Sequence, residues 1–224
     1  MTWFGSFYRS ALGKKAVMAV TGVFLFGWIF AHMVGNLKLF LGAEHLNEYA
    51  RWLRTMGAPA MPNDVILWVV RIVMIVAVWL HIQAATQLTL MNRAARPLGY
   101  RERGYEAATY AARTMRWGGV IILLFIIYHL LHLTFGARVT PVPFIEGDVY
   151  HNVVAGFQVW WIAAIYIVAN LALGLHLFHG LHAMFESLGL NHPRFNAWRR
   201  YFATVFAVII TVGNVSMRLR CSPD

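Results

Sequence analysis

The chain has 224 residues, 59% of them hydrophobic and only 12% charged. With a mean hydropathy of +0.57 it cannot be an ordinary soluble domain. Its net charge of +10 does not point to nucleic acid, because the basic residues flank apolar stretches, where they answer anionic lipid and set topology. The single cysteine, Cys221, excludes an internal disulfide and a cysteine-ligated iron–sulfur cluster.

Five apolar stretches are long enough, at about 20 residues, to cross a hydrocarbon core of roughly 30 Å. They are expected near Ala16 to Phe40, Val65 to Met91, Trp117 to Phe135, Val159 to Phe185 and Phe202 to Met217. The first reads as a retained span and not as a cleaved signal, because it continues into Gly35, Asn36 and Lys38 without a small-residue cleavage site. Arg9, Lys14 and Lys15 precede it. Arg93, Arg96, Arg101, Arg103, Arg113 and Arg116 lie between the second and third spans, and Arg194, Arg199 and Arg200 between the fourth and fifth. These three clusters share one side of a five-span protein, which the positive-inside rule makes cytoplasmic, together with the N-terminus. The expectation is one all-α transmembrane five-helix bundle over residues 1–224, with no soluble domain of its own.

Four histidines lie deep in four of the spans: His32, His81, His129 and His176. Met18, Gly22 and His32 in the first span recur at identical spacing as Met115, Gly119 and His129 in the third, and Leu80-His81-Ile82 in the second recurs as Leu175-His176-Leu177 in the fourth. Offsets of 97 and 95 residues between these histidines indicate a duplicated two-helix unit followed by a fifth helix. Spans one and three run outward, so His32 and His129 lie roughly 20 to 25 Å from the inner edge. Spans two and four run inward, which leaves His81 and His176 roughly 15 Å from that edge.

An intramembrane imidazole is costly and usually functional. Two depth-matched pairs on different helices are what bis-histidine ligation of a flat porphyrin needs, so His32 with His129 and His81 with His176 are the metal-ligand candidates for two b-type haems. No Cys-x-x-Cys-His run offers covalent attachment. His132, His179 and His182 follow the ligand candidates at helical spacing. Depth favours His129 over His132 and disfavours His182, while His179 stays open as a competitor of His176 or a propionate contact. His45, His151 and His192 fall in loops or at helix edges. Gly22, Gly27, Gly35, Gly118, Gly119 and Gly174 on the histidine-bearing helices read equally as room for a macrocycle or as small-residue helix contacts. For propionates, donors at the membrane edges are Arg71, Asn36 and Lys38 outside and Arg113, Arg116 and His179 inside. Arg71 reads equally as snorkelling to the outer headgroups.

The run Lys14-Lys15-Ala-Val-Met18-Ala-Val-Thr21-Gly22 leads to His32-Met-Val-Gly35-Asn36-Leu37. It is followed by Asn47-Glu-Tyr49-Ala, His176-Leu-Phe-His179-Gly180-Leu and Leu188-Gly189-Leu190. This pattern, over essentially the whole chain, resembles the single-chain cytochrome b anchor of type B succinate dehydrogenases and fumarate reductases. The resemblance implies a dihaem anchor of respiratory complex II in a bacterial cytoplasmic membrane, exchanging electrons with a quinone, usually menaquinone. It implies that His81 and His176 hold the haem nearer the dehydrogenase, and His32 with His129 the distal one. It also implies partner flavoprotein and iron–sulfur subunits, and this chain has no cysteine set for a cluster and no dinucleotide fingerprint. Whether such a complex assembles further, as a trimer, is left open by the sequence. One departure from the family is Gly174, two residues before His176, where some dihaem fumarate reductases carry a glutamate.

Quinone chemistry needs proton donors near a haem edge, and Glu44, Glu48 and Asp64 outside and Glu186 inside are the carboxylates at hand. Two other readings compete with the anchor. One is a haem anchor of a hydrogenase or formate dehydrogenase; the other is a haem-free transporter, which needs a more polar lining than spans one and three supply.

Overall fold

The computed structural model describes residues 3–95, 110–190 and 192–221, with side chains from residue 5 in the first stretch and from residue 114 in the second. The basic residues Arg96, Arg101 and Arg103, and the side chain of Arg113, lie outside the described residues. Among the described residues the chain is helical and has no strand. In order come α1 (Trp3–Arg9), α2 (Ala11–Asn36) with a 3-10 turn at Leu37–Leu41, α3 (Ala43–Thr55), α4 (Val65–Ala94), α5 (Tyr110–Leu133), α6 (Val149–Gln158), α7 (Trp160–Ser187) and α8 (Pro193–Arg220).

Among the described residues five segments are long and apolar enough to span a membrane: Ala11–Leu41, Val65–Ala94, Thr114–Leu133, Trp160–Ser187 and Pro193–Arg220. Many of their exposed side chains are apolar, among them Phe24, Ile72, Ile75, Val205 and Val208, which is how a helix faces lipid. Trp117, Trp198 and Tyr201 are exposed near one end of the bundle and Trp68 and Trp160 near the other, as interfacial belts require. The fifth helix begins at Pro193, well before the expected Phe202. His192 Nδ1 accepts from the Arg194 N–H at 3.2 Å, and proline at the first turn loses no hydrogen bond, so the helix starts in the polar region before its apolar part.

The tightest packing joins α2 to α4, α5 to α7 and α7 to α8, with α2 against α7 linking the halves. The repeated unit is therefore an antiparallel helix pair, α2/α4 and again α5/α7. Met33, Leu177, Leu181, Ala203, Phe206, Ala207 and Ile210 knit α2, α7 and α8 together. In lipid this cluster is held by close packing and not by transfer from water.

The sequence reading assigned no helix to the segments now seen as α3 and α6. Both are short, and they form a cap over one end of the bundle, where Leu39, Leu46, Phe157, Ile162, Tyr166 and Met217 pack. The Asn47-Glu-Tyr49 run is explained here. Asn47 Nδ2 donates to Asp148 Oδ1 at 2.9 Å, the Tyr150 N–H donates to Asn47 Oδ1 at 3.0 Å, and a Cβ on Gly35 would stand 2.7 Å from the Tyr49 ring. Asp148 also caps α6 by accepting from the His151 N–H at 2.9 Å. That N–H and the Asn47 amide hold its carboxyl below the usual range. A depressed native pKa contributes stability above the unfolded value of about 3.9, lost as pH falls through the native one. Asp148→Ala is expected to cost about 1 kcal/mol, the usual loss on removing an N-cap. In thermal melts of the detergent-solubilised protein, the gap between wild type and variant should close below about pH 4.

Candidate functional site

Each histidine pair joins two helices that otherwise share little or no packing, α2 with α5 and α4 with α7. The His32 and His129 ring centres are 5.8 Å apart, and those of His81 and His176 are 6.4 Å apart. Two imidazoles on opposite sides of one metal, each bonded at about 2 Å, have ring centres roughly 6 Å apart. The described residues contain no cluster of three or more His, Cys, Asp or Glu side chains suited to a metal. What they offer is two facing imidazole pairs, and the spacing of each would suit a haem held between them.

The pairs lie at two levels. His81 rests on Gly22 of α2, whose added Cβ would meet His81 Cε1 at 3.7 Å, and His176 rests on Gly119 of α5 in the same way at 3.8 Å. Gly22 and His32 are ten residues apart on α2, as are Gly119 and His129 on α5, which separates the levels by about 15 Å. The repeated methionine belongs to the same seat, since the Met18 carbonyl lies beside His81 and the Met115 carbonyl beside His176.

The two seats differ in one residue that sequence reasoning passed over. The buried Thr21 hydroxyl donates to the Val17 carbonyl at 2.8 Å, so its oxygen is free to accept from His81 Nδ1, 3.1 Å away. With Nδ1–H donating in that bond, the Nε2 lone pair would be left for a metal. Gly118 occupies the corresponding place in the second unit, and His176 Nδ1 is buried with no partner in hydrogen-bonding geometry. Thr21→Val is expected to weaken ligand binding at the His81 seat about 10- to 100-fold and to leave the His32–His129 pair alone. Spectral titration with haem resolves the two.

At the other level Tyr166, one of the most deeply buried side chains, lies 3.3 Å from His129 Nδ1 and 3.0 Å from His132 Nδ1. A phenol has one proton, so Tyr166 can accept from His129 and donate to His132. His132 is then engaged by Tyr166 on one side, and its Nε2 lies 2.7 Å from where a Cβ on Gly156 would be. The ring opposite His32 is His129, and the ring opposite His81 is His176. His179 is half-buried further along α7, within electrostatic reach of His182 and Glu186.

The glycines divide between the two expected roles. Gly22 and Gly119 seat histidines, whereas Gly35 and Gly174 are helix contacts against Tyr49 and Thr211. Gly27 faces open space and Gly118 approaches only the Ala172 carbonyl. Among the expected propionate donors, Arg71 lies over the Trp68 ring at 5.0 Å and Lys38 over Tyr49 at 5.4 Å, while Arg116 is exposed and Asn36 ends α2. Glu44, Glu48 and Glu186 are exposed, the last 3.8 Å from His182. A cation absent from that set, Arg218 near the end of α8, is buried and lies over the Phe157 and Tyr166 rings at 3.6 and 4.3 Å.

Residues 92–215 match the family described as the succinate dehydrogenase/fumarate reductase transmembrane subunit, a stretch that includes His129 and His176. The chain belongs to that family. Neither a search of curated proteins nor one of solved structures returned a match. As a succinate dehydrogenase/fumarate reductase transmembrane subunit, the chain is an integral multi-pass protein and the membrane anchor of complex II, with a flavoprotein and an iron–sulfur subunit as partners. Membership favours this role over the hydrogenase, formate dehydrogenase and transporter readings. The family typically binds haem and quinone.

Proposed function

We propose that this anchor is the dihaem, type B form. It would hold one b-type haem between His81 and His176 and a second between His32 and His129, in a bacterial cytoplasmic membrane with the N-terminus inside. The observation that carries the reading is the pairing of four imidazoles at 5.8 and 6.4 Å across helices that otherwise barely touch. Bound haem supplies one-electron redox chemistry at each level.

The chain's own work is positional. Gly22 and Gly119 let the two inner rings lie against the backbone, Thr21 orients His81, and Tyr166 orients His129. A neutral imidazole is the form that can ligate. The levels, about 15 Å apart, span much of the distance from the cytoplasmic iron–sulfur partner to the outer face. Electrons would pass along this line between that partner and a membrane quinone, with menaquinone the favoured acceptor or donor.

The test is a redox-titrated optical spectrum of the purified complex with the haem-to-chain ratio measured as pyridine haemochrome. Two b-type haems per chain with separable potentials are expected. One haem would make one of the pairs structural, and none would overturn the cytochrome reading.

A further inference from the structure

Three cations are more than nine-tenths buried in the described chain, Lys14, Arg199 and Arg218. Lys14 bonds to Gln87 and to the Tyr8 carbonyl, and Arg199 bonds to Asn196, all at the end of the bundle opposite α3 and α6. Arg218 alone of the three is beside a histidine pair. It is 7% exposed, its guanidinium is held between Phe157 and Tyr166, and its Nε is buried without a hydrogen-bond partner.

Aromatic faces offset part of the cost of taking a guanidinium out of water, but they accept none of its N–H bonds. Among the described residues no carboxylate pairs with Arg218, and the nearby Tyr128 hydroxyl, on a ring that packs against Tyr166, is also buried and unpartnered. The charge of Arg218 is felt at both His129 and His132. A buried, fork-shaped donor with a free N–H calls for a planar anion, and carboxylate is the shape that guanidinium pairs best. Of the other cations at this end, Arg51, Arg54, Arg138 and Arg220 are exposed, and Arg71 and Lys38 are only part-buried, each lying over an exposed or half-buried aromatic ring.

We propose that Arg218 is the counter-ion for a carboxylate of the group held between His32 and His129, namely a propionate of the outer haem, with the Tyr128 hydroxyl as a second donor beside it. This rests on the dihaem reading. It makes Arg218 a positioning residue that also sets the reduction equilibrium at that level, since a fixed positive charge beside a redox centre favours its reduced form.

The test is potentiometric titration of the purified complex carrying Arg218→Gln. The outer component, identified independently as the one lost in His129→Ala, is expected to become about tenfold harder to reduce, about 59 mV for one electron, with the other component unmoved. An unmoved outer component, or equal shifts in both, overturns the proposal. Removing residues 222–224 should change nothing; if it reproduces the Arg218→Gln shift, the anion belongs to that stretch of the chain and the proposal fails. Should Arg218→Gln not assemble, Arg218→Lys carries the test, because it keeps the charge and loses the fork. Its outer potential should stay close to wild type, while the reduced-minus-oxidised infrared band of carboxylate-labelled haem propionate moves. A band that stays in place overturns the assignment. A complex with fewer than two haems, or one whose outer component survives His129→Ala, defeats the dihaem reading itself.

Discussion

His176→Ala in the assembled complex is expected to halve the haem content, from two per chain to one, and to abolish one of two separable redox components. The seat it empties is specific. His176 rests on Gly119, its ring centre 6.4 Å from that of His81 and its only near backbone acceptor the Met115 carbonyl. With one imidazole gone, a haem at this site would be held by His81 alone. His81→Ala should remove the same component, because both rings serve one site. His179→Ala should leave both components in place, and a loss there equal to that of His176→Ala would transfer the ligand role to His179. The fold should tolerate these changes, since the interhelical packing of α4 and α7 does not pass through the pair. Haem content and spectra of the three variants, measured against protein concentration, decide the matter.

Gly174→Glu is expected to block assembly of the complex or to reduce it to traces. A Cβ at Gly174 would stand where the Thr211 hydroxyl of α8 now lies, and Gly174 is buried in the α7–α8 contact. Overpacking of this kind costs about 1–3 kcal/mol, and a carboxylate buried in the α7–α8 contact adds several more. A side chain at position 174 therefore has no room while the Thr211 hydroxyl stays where it lies. Gly174→Ala with Thr211→Ala offers the control, because the double change relieves the overlap. The amount of membrane-inserted, partner-bound subunit recovered on solubilisation reads the result; full assembly of Gly174→Glu would show that α8 can move away.

The two histidine pairs of the candidate site were legible in the sequence. The repeat of methionine, glycine and histidine in spans one and three turned out to have a physical content, since Met18 and Gly22 seat His81 while Met115 and Gly119 seat His176. Thr21, Tyr166 and Arg218 were not legible as site residues. Each is an ordinary membrane-helix residue until another helix brings a partner. Helices α3 and α6 escaped for a related reason: they are too short to register against five long apolar runs, and the Asn47–Asp148 bonds that hold them link residues a hundred positions apart.

The amino-acid sequence by itself determined the number of spans and the level of each histidine, because hydrocarbon thickness converts the length of an apolar run into depth and a helix advances by a constant 1.5 Å per residue. Only the tertiary structure decided which imidazoles face each other, that Thr21 serves one inner ring while its counterpart position is glycine, and that Arg218 is buried beside His129. Those facts depend on how each helix is rotated about its axis and on which neighbour it packs against, and both are set by contacts between side chains distant in the chain.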